Sequence, residues 1–175
     1  MTAAENMTRV TARQIAVQML FSMEANSASA EDTLALFFSD DHYDSLRDED
    51  KLFQEAPDQE QTAYIHRVLQ TAEAHLPEID EIISRYSSGW KLKRISRSTL
   101  AILRCALCEI LFMNDIPDSA AVNEAVELGK SYDSPQAAAF INGVLGSFLR
   151  ERKQSEQLEV QTEAAREAEP DAEKE

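Results

Sequence analysis

Two cysteines three residues apart are the first side chains in this 175-residue chain that could do chemistry. Cys105 and Cys108 form a Cys-x-x-Cys, a spacing that serves thiol–disulfide exchange where it opens an exposed helix after a strand. Here it lies inside Thr99 to Met113, where only Thr99, Arg104 and Glu109 interrupt apolar residues. Apolar burial keeps thiols protonated and inert, so both read as core side chains. No second pair completes a tetrahedral zinc site. A di-iron bundle needs Glu-x-x-His pairs, and none of His42, His66 and His75 stands three residues after a glutamate. There is no Gly-rich phosphate loop and no Gly-x-Ser-x-Gly elbow. With no catalytic, metal or cofactor constellation assembled, the chain reads as a binding protein and not an enzyme.

The binding chemistry lies in cations and aromatics. Lys91, Lys93, Arg94 and Arg97 follow Trp90, the single tryptophan, and residues 89–104 hold five bases and no acid. This run leads into a helix expected to start near Ser96, where each cation opposes the helix dipole by about 0.3–1 kcal/mol. Either neighbouring acids offset the cluster in a salt-bridged surface, or an anionic ligand needs it. Arg9 and Arg13 form a second basic pair, one helical turn apart and on the azimuth of the apolar Ala16 and Leu20. Burying two arginines in an apolar arc is costly. The spacing therefore predicts that the first two turns overhang the core with both arginines projecting beyond it. The alternative is that their stems lie on the core rim. The formal charge of −15 does not exclude nucleic acid, because it is segregated. Residues 27–60 carry 11 acids against 2 bases, residues 154–175 carry 8 against 2, and the remainder is neutral. Screening over about 8 Å keeps such fields local.

The elements that must position these groups are helices. Only 4 glycines and 5 prolines punctuate the chain, and 43% of it is apolar. Apolar periodicity predicts seven helices, at 8–25, 30–39, 58–75, 77–88, 96–113, 119–132 and 135–153. The fifth is apolar on every face yet shorter than the roughly 20 residues of a membrane span, so it is expected to be the buried centre of an all-α domain. Arg104 within it should be buried and paired, with Glu124 the expected partner. Phe140 falls at the edge of the last helix's core arc. Residues 1–7 are expected to form a flexible arm, 8–153 the domain, 40–57 a solvated acidic loop, and 154–175 a disordered or lone-helix acidic tail. No basic segment precedes an N-terminal apolar run, and two cysteines do not make a disulfide framework. A cytoplasmic, membrane-free location is therefore expected.

Three segments stand out together: Arg13-Gln14-Ile15-Ala16-Val17-Gln18-Met19-Leu20-Phe21; Trp90 through Arg94 to Ile102-Leu103-Arg104-Cys105-Ala106-Leu107-Cys108-Glu109-Ile110-Leu111; and Ile116-Pro117 with Val122-Asn123-Glu124-Ala125-Val126-Glu127-Leu128 and Phe140-Ile141-Asn142-Gly143-Val144-Leu145. Together they resemble the NusB transcription-antitermination family. The resemblance spans about residues 8–150. It implies two packed three-helix subdomains and a role in the RNA polymerase antitermination complex, binding the boxA element of ribosomal RNA transcripts together with ribosomal protein NusE. It assigns RNA contact to Arg9, Arg13 and Phe140, and NusE contact to Phe21 and the start of the central helix near Thr99. NusE would bring its own basic surface. The family's first helix often carries a longer arginine run, whereas Thr8-Arg9-Val10-Thr11-Ala12-Arg13 has two. Lys93 and Arg94 are therefore added to the expected RNA surface.

Two other readings stay open. One is a helical protein–protein adaptor without RNA binding. The other is a detached relative of the N-terminal helical domain of ribosomal RNA cytosine methyltransferases, although no cofactor-binding βαβ unit follows. The family includes monomers and homodimers, so a homodimer is also open.

Overall fold

Thr8 begins the first helix as the spacing predicts, its side chain accepting from the Thr11 backbone N–H. From there the computed structural model describes residues 7–168, with α1 (Arg9–Asn26), α2 (Ala30–Phe37), α3 (Asp40–Glu49), α4 (Gln59–Ala74), α5 (Leu76–Tyr86), α6 (Arg97–Phe112), α7 (Asp118–Tyr132) and α8 (Pro135–Glu167). Single 3₁₀ turns lie at Lys51–Phe53 and Leu92–Arg94, and no strand occurs among the described residues. None of these helices is long and apolar enough to cross a membrane.

α6 is the centre. Every residue from Thr99 to Ile110 is buried, and α1, α4, α5, α7 and α8 all pack on it. α1, α2 and α4 pack on one another, and α8 packs against both α5 and α7. Cys105 and Cys108 are buried, and burial pushes the Cys108 thiol up to about 12, so both are core. At the α7–α8 crossing a Cβ on Gly129 would sit 2.7 Å from the Ile141 side chain and 3.1 Å from the Ala138 backbone, so glycine sets how closely the two helices approach.

Four expectations need correction. The 40–57 segment is not a loop. It contains α3, which raises the expected seven helices to eight among the described residues. Asp40 and Asp41 suit the positive end of its dipole, and buried Tyr43 anchors it by packing on Phe37 and Phe53 and donating to the Glu55 carbonyl at 2.8 Å. The tail is not disordered up to Glu167, because α8 continues through it. From Ser147 to Glu169 no glycine or proline interrupts a run rich in Glu, Gln, Ala and Arg, and Arg152 pairs with Asp118 and with Glu156. Of the expected arm, Met7 is buried and residues 1–6 lie outside the described residues, as do residues 169–175 of the tail. Lastly, Arg104 is buried and paired as expected, but not with Glu124. Its partners are Asp80 on α5, through two bonds of 2.9 Å, and Glu24 on α1.

Candidate nucleic-acid and partner interface

α1 and α6 run antiparallel, and this sets where each candidate residue lands. Near the start of α1, Arg13 meets Glu109 late in α6; near its end, Phe21 shares a cavity with Ser98 at the opposite end of α6.

Arg13 does not project into solvent. It is 5% exposed, and its Nε donates to Glu109 Oε1 at 2.8 Å. The Tyr64 hydroxyl donates to the same oxygen at 2.6 Å, and Glu124 stands 3.8 Å from Arg13 Nη1. Burial alone would lower the Arg13 pKa, but the adjoining Glu109 carboxylate outweighs it and raises it. Glu109 is the partner that periodicity could not identify, because it belongs to another helix. With it in place the cost of burial is met by a charge-assisted bond. Arg13 is therefore part of the core. Arg9 stays at the surface, half-buried, with its guanidinium 4.2 Å above the Tyr64 ring and bonded to Gln61 and Glu60 on α4.

The basic cluster is a different surface. Ser96 caps α6, accepting from the Thr99 N–H at 3.1 Å. Thr99 is buried and spends its hydroxyl on Asp133, as Ser96 does. Asp133 is the acid that offsets the cationic first turn of α6. Its carboxyl is held below the ordinary range by the Ser96 hydroxyl, against a small effect of burial, with Thr99 assisting. Lys91, Lys93, Arg94 and Arg97 are exposed, and among the described residues none of them forms an ion pair with an acid. The alternative of a salt-bridged surface is therefore not what the chain adopts.

Trp90 is 56% exposed and meets Phe140 edge-on at 6.4 Å. The two rings and Arg94 line a cavity of about 300 Å³ together with Ser96, Thr99 and Asp133. Phe140 and Arg94 are thus brought together, with Lys93 close by in the Leu92–Arg94 turn. Arg9 is not part of this group. About 15 Å of α6 separates the Thr99 level from the Glu109 level at about 1.5 Å per residue. Trp90 and Asp133 were missing from the site residues expected from sequence. A lone tryptophan between a glycine and a basic run was the available signal for Trp90; nothing local marks Asp133.

Phe21, 39% exposed, lines a second cavity of about 360 Å³ with Val17, Gln18, Ser98 and Tyr132. Gln18 bonds the Tyr132 hydroxyl at 3.3 Å across its rim. Two exposed aromatics around a shallow apolar floor have the composition of a protein-docking hot spot.

The NusB family model matches residues 10–150. The transcription antitermination protein NusB of Alkaliphilus oremlandii is 39% identical over 145 residues, covering 83% of this chain and 95% of that relative. The NusB of Natranaerobius thermophilus is 39% identical over 141 residues, covering 79% and 92%. Among solved structures, T. maritima NusB aligns with a TM-score of 0.63 at 28% identity, over 83% of this chain and 93% of that one. A crystal structure of NusB and NusE in complex with dsRNA aligns with a TM-score of 0.65 at 21% identity, over 82% and 96%, a likeness of fold.

Proposed function

The chain belongs to the NusB family, and from that premise we propose that it is a transcription antitermination factor that holds boxA RNA together with ribosomal protein NusE. Its place is in the RNA polymerase antitermination complex, and so in the cytoplasm. The two helix groups flanking α6 correspond to the family's two three-helix subdomains.

One observation carries the RNA assignment. Two aromatics, Trp90 exposed and Phe140 partly so, stand beside four cations that form no ion pair with an acid among the described residues. Single-stranded RNA is held by this combination, with bases stacking on rings and phosphates meeting cations. Lys93, Arg94 and Phe140 are the primary RNA residues, with Trp90 added. Arg9 contributes a peripheral phosphate contact, and Arg13 acts only by holding α1 in place. Phe21 and Tyr132 form the NusE contact, with Thr99 beneath it as a structural residue.

The test is a titration of labelled boxA RNA and a scrambled RNA, each with and without NusE. Tighter binding of boxA and a further gain on adding NusE are expected. By linkage, RNA must raise NusE affinity by the same factor, typically about 5–150-fold. Phe21→Ala should weaken NusE binding and leave RNA binding by the lone protein intact. The burial of Arg13 favours the adaptor reading, since it leaves one helix-one arginine at the surface. That reading prevails if boxA and scrambled RNA bind equally with NusE present.

A further inference from the structure

A carboxylate in the middle of a site for a polyanion needs a reason. Asp133 lines the Trp90–Phe140 cavity together with Arg94, a cation that would hold phosphate. Capping explains part of its placement, because the Ser96 and Thr99 hydroxyls both donate to Oδ2. These two bonds also fix the carboxyl group's orientation, and the residue remains exposed toward the cavity that the two rings border. A base resting on Trp90 or Phe140 would occupy the cavity that this carboxylate also lines.

A carboxylate only accepts hydrogen bonds, so it favours a base edge rich in donors and repels one rich in carbonyls. Guanine offers an imino and an amino donor side by side on its Watson–Crick edge. Uracil places its single imino donor between two carbonyls. Adenine and cytosine each pair one amino donor with a ring-nitrogen acceptor. Resting on the RNA reading above, we propose that this cavity receives one unstacked guanine and that Asp133 reads its donor edge, making Asp133 the residue that determines base preference at this position. Trp90 and Phe140 supply stacking that every base can use; Asp133 supplies the discrimination. The cations stay available for the flanking phosphates.

The experiment uses the full chain and nine-residue oligouridylates whose central base is guanine, adenine or uracil, followed by fluorescence anisotropy. The guanine probe should bind about tenfold more tightly than the uracil probe, within the range of a good base contact, with adenine between them. Asp133→Asn keeps a carbonyl oxygen for Ser96 and Thr99 and turns the other position into a donor. It should collapse the guanine–uracil gap, because it weakens guanine while improving uracil. Trp90→Ala should weaken all three probes. Should Asp133→Asn perturb folding by circular dichroism, the wild-type guanine–uracil gap and its persistence beneath the general loss of affinity in Trp90→Ala decide alone. Equal binding of the three probes by the wild type overturns the proposal while leaving RNA binding standing. A uniform gain for all probes in Asp133→Asn also overturns it, since that is the signature of a removed charge. Binding to none of the probes overturns both this proposal and the RNA site.

Discussion

Arg13 and Glu109 face each other at 2.8 Å, one near the start of α1 and the other late in α6, with Glu109 wholly buried and Arg13 nearly so. The pair is completed by the Tyr64 hydroxyl, and the second Glu109 oxygen has no hydrogen-bond partner among the described residues. It locks α1 and α4 onto the central helix. An arginine that the family resemblance offers to RNA is thereby committed to the fold.

Arg13→Ala should consequently lose about 3–5 kcal/mol of stability, the usual cost of leaving one member of a buried ion pair without its partner. Urea unfolding measures this directly. The salt dependence of RNA binding by the folded fraction should not move, since no phosphate contact is lost. A stable Arg13→Ala protein with a flattened salt slope would return Arg13 to the RNA surface.

Arg104 makes the corresponding tie toward α5. Its two bonds to Asp80 are the more buried ones, while Glu24 is more exposed. Asp80→Ala should therefore destabilise by about 3 kcal/mol or more, and Glu24→Ala by about 1 kcal/mol or less, in thermal melts of matched samples. Equal effects would contradict this division.

The helices were legible because apolar spacing and caps are local, and Thr8, Ser96 and Ser134 each accept from a backbone N–H three residues on. The partners of buried charges were not legible. Arg104 bonds across 24 residues and Arg13 across 96, and no helical period relates such positions. α3 was missed because its anchors, Tyr43 and Leu46, find their packing on Phe37 and Phe53 from neighbouring turns, within a segment whose charge dominates its composition. The basic cluster and Phe140 were each visible alone. That they share a cavity depends on Asp133 joining the end of α7 to the start of α6.

On the RNA surface, aromatic and cationic residues should separate cleanly. Trp90→Ala and Phe140→Ala should each lose about 1–3 kcal/mol of binding with the salt slope intact. Lys93→Ala and Arg94→Ala should each lower the slope of log affinity against log salt by about 0.7, the value for one phosphate contact on a single strand. Anisotropy titrations at four salt concentrations give both quantities. A slope unchanged in Lys93→Ala/Arg94→Ala would place the phosphates elsewhere.

The acidic end of α8 should have little influence on that surface. Sixteen residues of helix separate Phe140 from Glu156, about 24 Å at about 1.5 Å per residue and roughly three screening lengths at physiological salt. Ending the chain after Lys153 keeps Arg152 and its bond to Asp118, and it removes only exposed side chains among the described residues. Melting temperature and RNA affinity at 0.15 M salt should both stay near wild type. A marked rise in affinity would mean that the acidic segment reaches the cavity.

Asp133 links stability to pH at the start of α6. Its carboxyl titrates below the ordinary value of about 3.9 because the Ser96 and Thr99 hydroxyls stabilise the charged form. A carboxyl depressed in the folded state contributes stability above its unfolded pKa and loses that contribution as pH falls through the folded one. The negative charge also complements the α6 dipole and the cations of its first turn. Asp133→Asn keeps an oxygen acceptor but carries no charge, so it should melt below wild type at pH 7. As the pH falls below about 4 and then through the lower folded-state value, wild-type Asp133 takes up its proton and the gap between the two proteins should close. Other carboxyls titrate in both proteins and cancel in the difference. Thermal melts of the pair from pH 7 to strongly acidic buffer follow it directly. A gap that stays constant across that range would mean that the hydrogen-bond geometry at Ser96 and Thr99, and not the charge, is what Asp133 contributes to the fold.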